Sequence, residues 1–360
     1  MDELTLLRMV GKDAVDPSPE TLNRGRRALM QHIGSRPTKK SHRGFKRAAF
    51  ISGGTVVAAG VAAALVLSNV VGLAGWHGGA DAAAAVALSD AAAVTIKTSD
   101  PVVGPGEYLK VSTQAVYTGT SVDAKGHGAA YSQTQNGQMY IPSNHTDDWV
   151  WVREPSTVAK TFGPASEQAA AAAAKSESKT PEIIRAAKGA WYNGKPTEWG
   201  FDKLPLDPQQ LLNYIYRTTV GQGVSADGEA LVFIADTLRT GVVPADLRAA
   251  LYKAAAGIPG VTISDRTATL DGQTGIAFGR DESNGIRQEI IIDPITGLMI
   301  GESEVLLRDN ILPGVSAGES MGWTTVTTTV VDSAPHGGSL CGTRSHPVGG
   351  AGSSQCQSGN

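Results

Sequence analysis

Cysteine is scarce in this sequence, and its placement limits what it contributes. The chain has 360 residues and two cysteines, Cys341 and Cys356, both within 336–360. Outside a cell they either pair, closing a loop of about 15 residues that is worth roughly 3 kcal/mol in the simplest entropy model, or remain free thiols. In a Gly- and Ser-rich tail a disulfide adds little to the main fold. Metal binding by these cysteines with His336 and His346 matches no zinc spacing, so we predict neither a metal nor any other cofactor.

Charge is absent from residues 48–67, which follow directly on a basic stretch. About 20 apolar residues in a helix cover the hydrocarbon core of a bilayer, roughly 30 Å thick, and a helix satisfies its own backbone groups there. A cleaved signal peptide is the main alternative for these residues. It fits poorly, because 47 residues precede the run and the apolar core is longer than that of a signal peptide. The sequence therefore predicts a retained signal-anchor, a single transmembrane helix.

Positive charge is concentrated before this run. Residues 1–47 hold 11 Lys and Arg and 5 Asp and Glu, a net charge of +6, which leaves −9 for the rest of a chain whose total is −3. No Lys or Arg occurs after the run until Lys97. The positive-inside rule places the N-terminus in the cytoplasm and the C-terminal part outside the cell membrane. The basic residues favour contact with membrane lipid over nucleic acid, because they adjoin a span and lack interleaved aromatics.

The cytoplasmic end predicts two short helices within residues 1–33. Leu4, Leu7 and Val10 repeat at helical spacing, and Ser18 with Pro19 begins a second helix. Helices this short are marginal alone and need a partner or a surface. Two interpretations remain open: a basic anchor lying on the inner leaflet, and a docking segment for a regulator such as a sigma factor. A zinc-type anti-sigma domain does not fit, because the His and Cys set is missing.

The outer part, from about residue 81 to 335, is long enough for one sizeable core. Residues 81–94 are Ala-rich and predict a helix. Segments 107–113 and 148–153 alternate with period two and predict half-buried strands, the second with Trp149 and Trp151 on one face. Residues 157–203 show no clear pattern. The predicted organisation is thus a cytoplasmic segment 1–47, a span 48–67, an outer domain 81–335 and a flexible tail 336–360.

A helical block and a meander follow. One predicted helix begins at Asp207 and Pro208, one ends at Gly241, and one runs from Pro244 to Gly257. Hairpin chemistry at Asp271–Gly272 and Asn284–Gly285 separates strand-like runs. Those runs are 261–270, 273–280, 286–292, 298–307 and 321–331. Strands, then helices, then strands predict an α+β domain with an antiparallel sheet that the amphipathic helices cover on one face.

The segments LPLDPQQLLNYIY, VPADLRAALYKAAAGIPGV and IIDPITGLMIGE, within 204–302, are the most specific part of a resemblance. Together with the basic N-terminus, the span, the Ala-rich helix and the GEYLKV strand, this order is similar to an uncharacterised family of actinobacterial single-pass membrane proteins. That family resembles more weakly the domains of the lipoprotein-carrier and RseB type. The resemblance implies a curved, half-barrel-like antiparallel sheet with helices on its concave face. It also implies an acyl-chain or peptide ligand and a role in envelope-stress signalling.

A few short segments match catalytic or metal-binding motifs, but their sequence context does not support catalysis. Gly314 to Gly318 matches G-x-S-x-G around Ser316, but a nucleophile elbow needs a strand before it and a helix after it, whereas a proline precedes and a strand follows. His145 to Asp148 predicts a polar turn, since it lacks further acidic partners for a cation. We therefore predict no enzyme activity, and a cell-envelope hydrolase is the weakest alternative.

The remaining candidate site is an apolar cavity. Trp149, Trp151, Trp191 and Trp199 either line a ligand cavity or belong to the core. Phe233, on a helix expected to cover the sheet, is a further candidate for its lining. The favoured function is a membrane-anchored extracytoplasmic binding or sensor protein with possible ligands of the acyl-chain or peptide class. A tethered lipid or lipoprotein carrier is the alternative within the same class.

Overall fold

The computed structural model describes residues 78–122, 127–191 and 195–341, and the backbone of 357–358. The helices of this part are α1 Ala82–Thr95, α2 Pro164–Ala173, α3 Pro208–Thr218, α4 Ala226–Arg239 and α5 Ala245–Ala255. The strands are β1 Tyr108–Val122, β2 Gly128–Thr134, β3 Gly137–Pro142, β4 Asp148–Arg153, β5 Val158–Thr161, β6 Glu182–Ala187, β7 Thr262–Leu270, β8 Gln273–Asp281, β9 Ile286–Ile292, β10 Met299–Leu306, β11 Ser320–Val331, β12 Ser339–Leu340 and β13 Gln357–Ser358.

The predicted span at 48–67 and the helices predicted within 1–33 lie outside the described residues. Among the helices of the described part, none is both long and apolar enough to cross a membrane.

One large open and curved sheet organises the described residues. Its strand order is β13-β12-β6-β4-β3-β1-β11-β10-β9-β8-β7, with β2 paired to β1 and β5 paired to β2. Neighbours run antiparallel except β6 and β12, which are parallel. The long strand β1 is the hub: one edge pairs with β11, and the other pairs first with β3 and then with β2. The expected α+β class with a mostly antiparallel sheet is confirmed.

The helices begin and end at the residues that the sequence indicated. The Asp207 carboxylate accepts hydrogen bonds from the backbone N–H groups of Gln209 at 3.1 Å and Gln210 at 2.9 Å, which caps α3. After α4, Gly241 takes a left-handed conformation with φ of 71°. The Asp271–Gly272 hairpin also uses positive φ at both central residues, as a type I′ turn requires.

Helix α4 packs directly on β8 to β11, and α3 and α5 pack against α4 and each other. Leu231 and Ile234 from α4 meet Phe278 and Ile290 from the sheet in one fully buried cluster. Helix α1 completes this cluster by packing on α5. The expectation that the helical block covers the meander is therefore confirmed, and described side chains fill the contact between them.

Strand β4 differs from expectation because both of its faces are covered. Trp149 packs with Val111 and Ile141 on one face, while Val150 and Val152 pack with Tyr140 and other residues on the opposite face. Trp149 is 4% exposed and Val150 is 0% exposed. The predicted alternation of Trp and Val is correct, but the half-buried prediction is wrong for this strand. The chain that follows β11 supplies the second cover, through Ala334.

The chain after residue 335, the predicted end of the domain, continues along the sheet. Ser339 and Leu340 pair with β6 as β12. The Arg185 guanidinium donates to the carbonyl of Gly337 at 2.7 Å and to that of Pro335. The Cys341 N–H donates to the Arg185 carbonyl at 2.8 Å. Residues 336–341 are thus held in place by β6.

Candidate functional site

The sheet face that carries α4 extends beyond the helices. On β1, β3 and β4 it presents apolar residues, including Val111, Met139 and Trp149, which share a face by strand register. Gly241 joins the two regions, because a Cβ added there would lie 2.9 Å from Val111 Cγ1 and 3.0 Å from Val326 Cγ2. Its carbonyl accepts a hydrogen bond of 2.9 Å from Thr328 Oγ1. A larger residue would move the end of α4 away from the sheet.

An apolar groove of about 530 Å³, which we call the Trp149 groove, lies on this face beside the helices. Lys188 and His145 lie among its polar lining residues. Thr197 ties the covering loop down, donating from its backbone N–H to the Lys188 carbonyl at 2.9 Å and from Oγ1 to the Gly189 carbonyl at 2.6 Å. The apolar lining is Leu109, Ile141, Trp149, Pro196, Trp199, Phe201 and Val242.

Three aromatic rings form the wall of the Trp149 groove. Trp199 meets Trp149 edge-on with centroids 5.4 Å apart, and it meets Phe201 edge-on at 6.2 Å. Gly189 lets the chain pass over Trp149, because a Cβ there would lie 2.8 Å from the ring atom Cε3. Among the described residues, Trp199 Nε1 is the one buried side-chain nitrogen or oxygen without a hydrogen-bond partner. Such an unpaired donor costs about 1–3 kcal/mol.

A larger and more polar groove of about 680 Å³, the Arg153 groove, adjoins the first. Arg153 lies over the Trp151 ring at 5.3 Å from its centroid and forms an ion pair of 3.0 Å with Glu182. Arg239 contributes a second cation to the lining. Three glutamates line the same groove and both arginines are ion-paired. The arrangement therefore offers an aromatic surface and charges of both signs to a polar group next to an apolar groove.

A third pocket of about 180 Å³, the acidic pocket, shares Arg239 with the Arg153 groove. Arg239 Nε lies 3.1 Å from Glu302 Oε1, and the same guanidinium contacts Asp236 and donates to Tyr117 Oη at 3.2 Å. Burial raises the pKa of the Glu302 carboxyl to about 7, although the Arg239 charge opposes this. Burial also raises the pKa of Glu304. The Arg153 groove therefore adjoins, through Arg239, carboxyls that burial makes hard to ionise.

The predicted cavity residues are distributed over several places. Trp149 lines the Trp149 groove and Trp151 lines the Arg153 groove. Phe233, on α4, packs against the main core cluster and is not among the residues that line either groove. Trp191 meets Trp151 edge-on at 5.6 Å. Phe201 and Arg239 were not predicted. The one sequence signal that could have indicated Phe201 is its spacing, since it follows Trp199 by two positions.

Cys341 is buried among Ile184 and Ala186, and it is not a free thiol. Cys356 lies outside the described residues. The pairing of the two, one of the alternatives that the sequence leaves open, therefore stays a prediction.

The other motifs lie where the sequence placed them. His145 and Thr146 form the polar turn before β4, and Gly314 to Gly318 lies in the loop between β10 and β11 with no helix after Ser316. Within the described ranges, no group of three or more His, Cys, Asp and Glu side chains could hold a metal ion.

No family model and no curated protein matches this chain. One solved structure that aligns with it is a DUF1329 family protein from Desulfovibrio piger, with 9% sequence identity and a TM-score of 0.16. The alignment covers 68% of this chain and 92% of that one. A TM-score this low does not establish a shared fold. The specific family suggested by the sequence motifs stays a prediction.

Proposed function

We propose that this chain is a membrane-anchored extracytoplasmic binding or sensor protein whose ligand occupies the Trp149 groove. The observation that carries the proposal is this groove itself, since an apolar concave site with a few polar groups on its lining is the usual form of a small-molecule site. The anchor is the apolar run 48–67. The ligand class is an acyl chain or an apolar peptide segment.

The finer architecture belongs to the same proposal. We take the sheet with α3 to α5 on one face as a half-barrel-like arrangement of the lipoprotein-carrier and RseB type. In that arrangement the Trp149 groove is the part of the helix-bearing face that the helices leave open. A sensor would pass occupancy to residues 1–33 and a regulator such as a sigma factor, in envelope-stress control. A carrier would release its lipid to another envelope protein.

The test is native mass spectrometry of the full chain extracted from its own membranes in mild detergent. We expect a co-purified ligand of defined mass, and we expect Val242→Trp, which fills the groove, to lose it. Val122→Trp is the matched control, because Val122 is 66% exposed and lines neither groove. A ligand retained by Val242→Trp, or none in the unaltered chain, would contradict the proposal. Lipid alone would favour the carrier, and peptide the sensor.

A further inference from the structure

Trp199 stands between two sites. Among the described residues it is the one that lines both the Trp149 groove and the Arg153 groove. Its ring is held by edge-on contacts to Trp149 and Phe201, without a hydrogen bond. Trp199 is therefore the described side chain that the apolar and the polar groove have in common, and it is only partly buried.

The backbone on both sides of Trp199 is fixed. Thr197 donates two hydrogen bonds to the preceding chain, and after Gly200 the short turn Phe201–Lys203 is closed by the Lys203 N–H, which donates to the Gly200 carbonyl at 3.0 Å. These hydrogen bonds favour a rotation of the Trp199 side chain over a movement of the loop. Rotation also releases the indole N–H from a place where it has no acceptor.

We propose that Trp199 is a side-chain gate between the two grooves and that its indole N–H binds a carbonyl oxygen of the ligand. This rests on the function proposed above and specifies its ligand: one acyl chain in the Trp149 groove, joined through a carbonyl at Trp199 to a polar group in the Arg153 groove. The closed gate leaves a donor unpaired. A ligand carbonyl satisfies that donor, so the ligand favours the open position by its own chemistry.

Two variants separate the ring from the donor. Trp199→Phe keeps an aromatic gate and removes the N–H, whereas Trp199→Ala removes both. Trp191→Phe is the matched control, because Trp191 also packs edge-on against a tryptophan but lines neither groove. Melting curves of the three variants establish that each is folded.

The measurement uses the full chain in lipid nanodiscs with nitrogen-15-labelled tryptophan. The indole signal of Trp199 is assigned by its loss in Trp199→Phe. The probes are octanoyl-glycine and palmitoyl-glycine, in which the carbonyl belongs to an acylated amine. Palmitate is the third probe, and its carbonyl belongs to a free acid. Each probe also partitions into the lipid. This partition is the same for every variant, so it cancels when the affinities of two variants for one probe are divided.

We expect palmitoyl-glycine to shift the Trp199 indole signal downfield and to bind Trp199→Phe about tenfold more weakly than the unaltered chain, with Trp191→Phe unchanged. Each buried methylene strengthens binding about fourfold. If the ring swings aside, the ratio of palmitoyl-glycine affinity to palmitate affinity agrees within about twofold between Trp199→Phe and Trp199→Ala, because the glycine is the part that passes the gate. Whichever of palmitoyl-glycine and palmitate binds more tightly identifies whether an acylated amine or a free acid supplies the carbonyl.

A palmitoyl-glycine to palmitate affinity ratio more than about twofold higher in Trp199→Ala would show a fixed wall and overturn the gate. An unmoved indole signal with equal affinities for the unaltered chain and Trp199→Phe would overturn the hydrogen bond. In both cases binding that Val242→Trp abolishes would leave the proposed function standing. Absence of saturable binding by the unaltered chain would overturn the function and the gate together.

Discussion

At the scale of single residues, the acidic pocket combines burial with charge. Glu302 is only 13% exposed at its side chain, next to Arg239, and Asp236 and Glu304 are also close enough to act on its ionisation. Its pKa of about 7 lies well above the ordinary 4.5. The folded state therefore holds a proton on Glu302 over a pH range in which the unfolded chain has released it.

We predict that the free energy of unfolding rises as pH falls from about 7 to about 4.5, because the folded state binds this proton more tightly than the unfolded chain does. The stabilisation from this proton is complete below the pKa of the unfolded chain and is lost as pH rises through 7. For the full pKa shift it amounts to about 3 kcal/mol. Glu302→Gln should be more stable than the unaltered chain at pH 8 and should lose most of this slope. Urea denaturation at several pH values measures it.

Glu319→Gln serves as the control for that slope, since Glu319 pairs with Lys160 at the surface. An unchanged slope in Glu302→Gln would show that the raised pKa is not in this carboxyl. The buried Glu304 would then be the next group to replace.

Gly241 gives a second prediction at this scale. Gly241→Ala should destabilise the fold by more than the 1–2 kcal/mol that a left-handed alanine costs, because the new Cβ meets Val111 and Val326. Gly221→Ala isolates the backbone term, since Gly221 has a similar φ of 77° and nothing within 4 Å of the added carbon. Denaturant titration of both variants gives the contact term as their difference. Equal losses would mean that α4 shifts freely over the sheet.

At the scale of elements, the C-terminal segment is held by a few directed contacts. Arg185 in β6 reaches two carbonyls of the segment that leads to β12. We predict that Arg185→Ala speeds hydrogen exchange at the amides of Leu340 and Cys341 by about tenfold, for a loss of about 1.4 kcal/mol. Exchange read by mass spectrometry tests this.

Arg308→Ala is the control, because Arg308 also donates to a main-chain carbonyl, that of Ser283, elsewhere on the surface. Exchange that stays slow in Arg185→Ala would show that burial of Cys341, rather than the arginine, holds the segment.

The elements that sequence predicted are those with local signals. Asp207 with Pro208 begins α3, and Asp271–Gly272 makes its hairpin, because both features depend on residues adjacent in the chain. Strands β2 and β3 were missed, since GAAYSQT and GQMYIP show no alternation of large apolar residues. In α2, PASEQAAAAA offers no apolar stripe, only small residues that fit against β2.

The grooves could be predicted only in part, because their lining residues come from distant parts of the chain. Trp149 was identified from the alternation of its strand. Its contact with Trp199 joins residues 50 positions apart, with β5, α2 and β6 between them, and Val242 lies three residues after the end of α4. Tertiary contacts of this kind leave no mark at a fixed spacing.

At the scale of the whole molecule, topology is the first thing to test. We predict that a phosphatase fused after Asn360 is active and that a cytoplasmic reporter in the same place is silent, because positive charge is concentrated before residue 48. A fusion placed at Val331 would instead remove the segment that covers β4. The reverse reporter pattern would overturn the proposed location.

The long central strand has a consequence for how the chain reaches this structure. Tyr108 of β1 lies opposite Val331 of β11, with roughly 220 residues of chain between them. One edge of β1 is satisfied early by the nearby β3 and β2, whereas the other edge waits for almost the last described strand. During synthesis that edge is open to any passing strand, including β1 of another copy. We therefore expect the pairing of residues 320–331 with β1 to be the slow step of folding and the stage at which aggregation is most favoured.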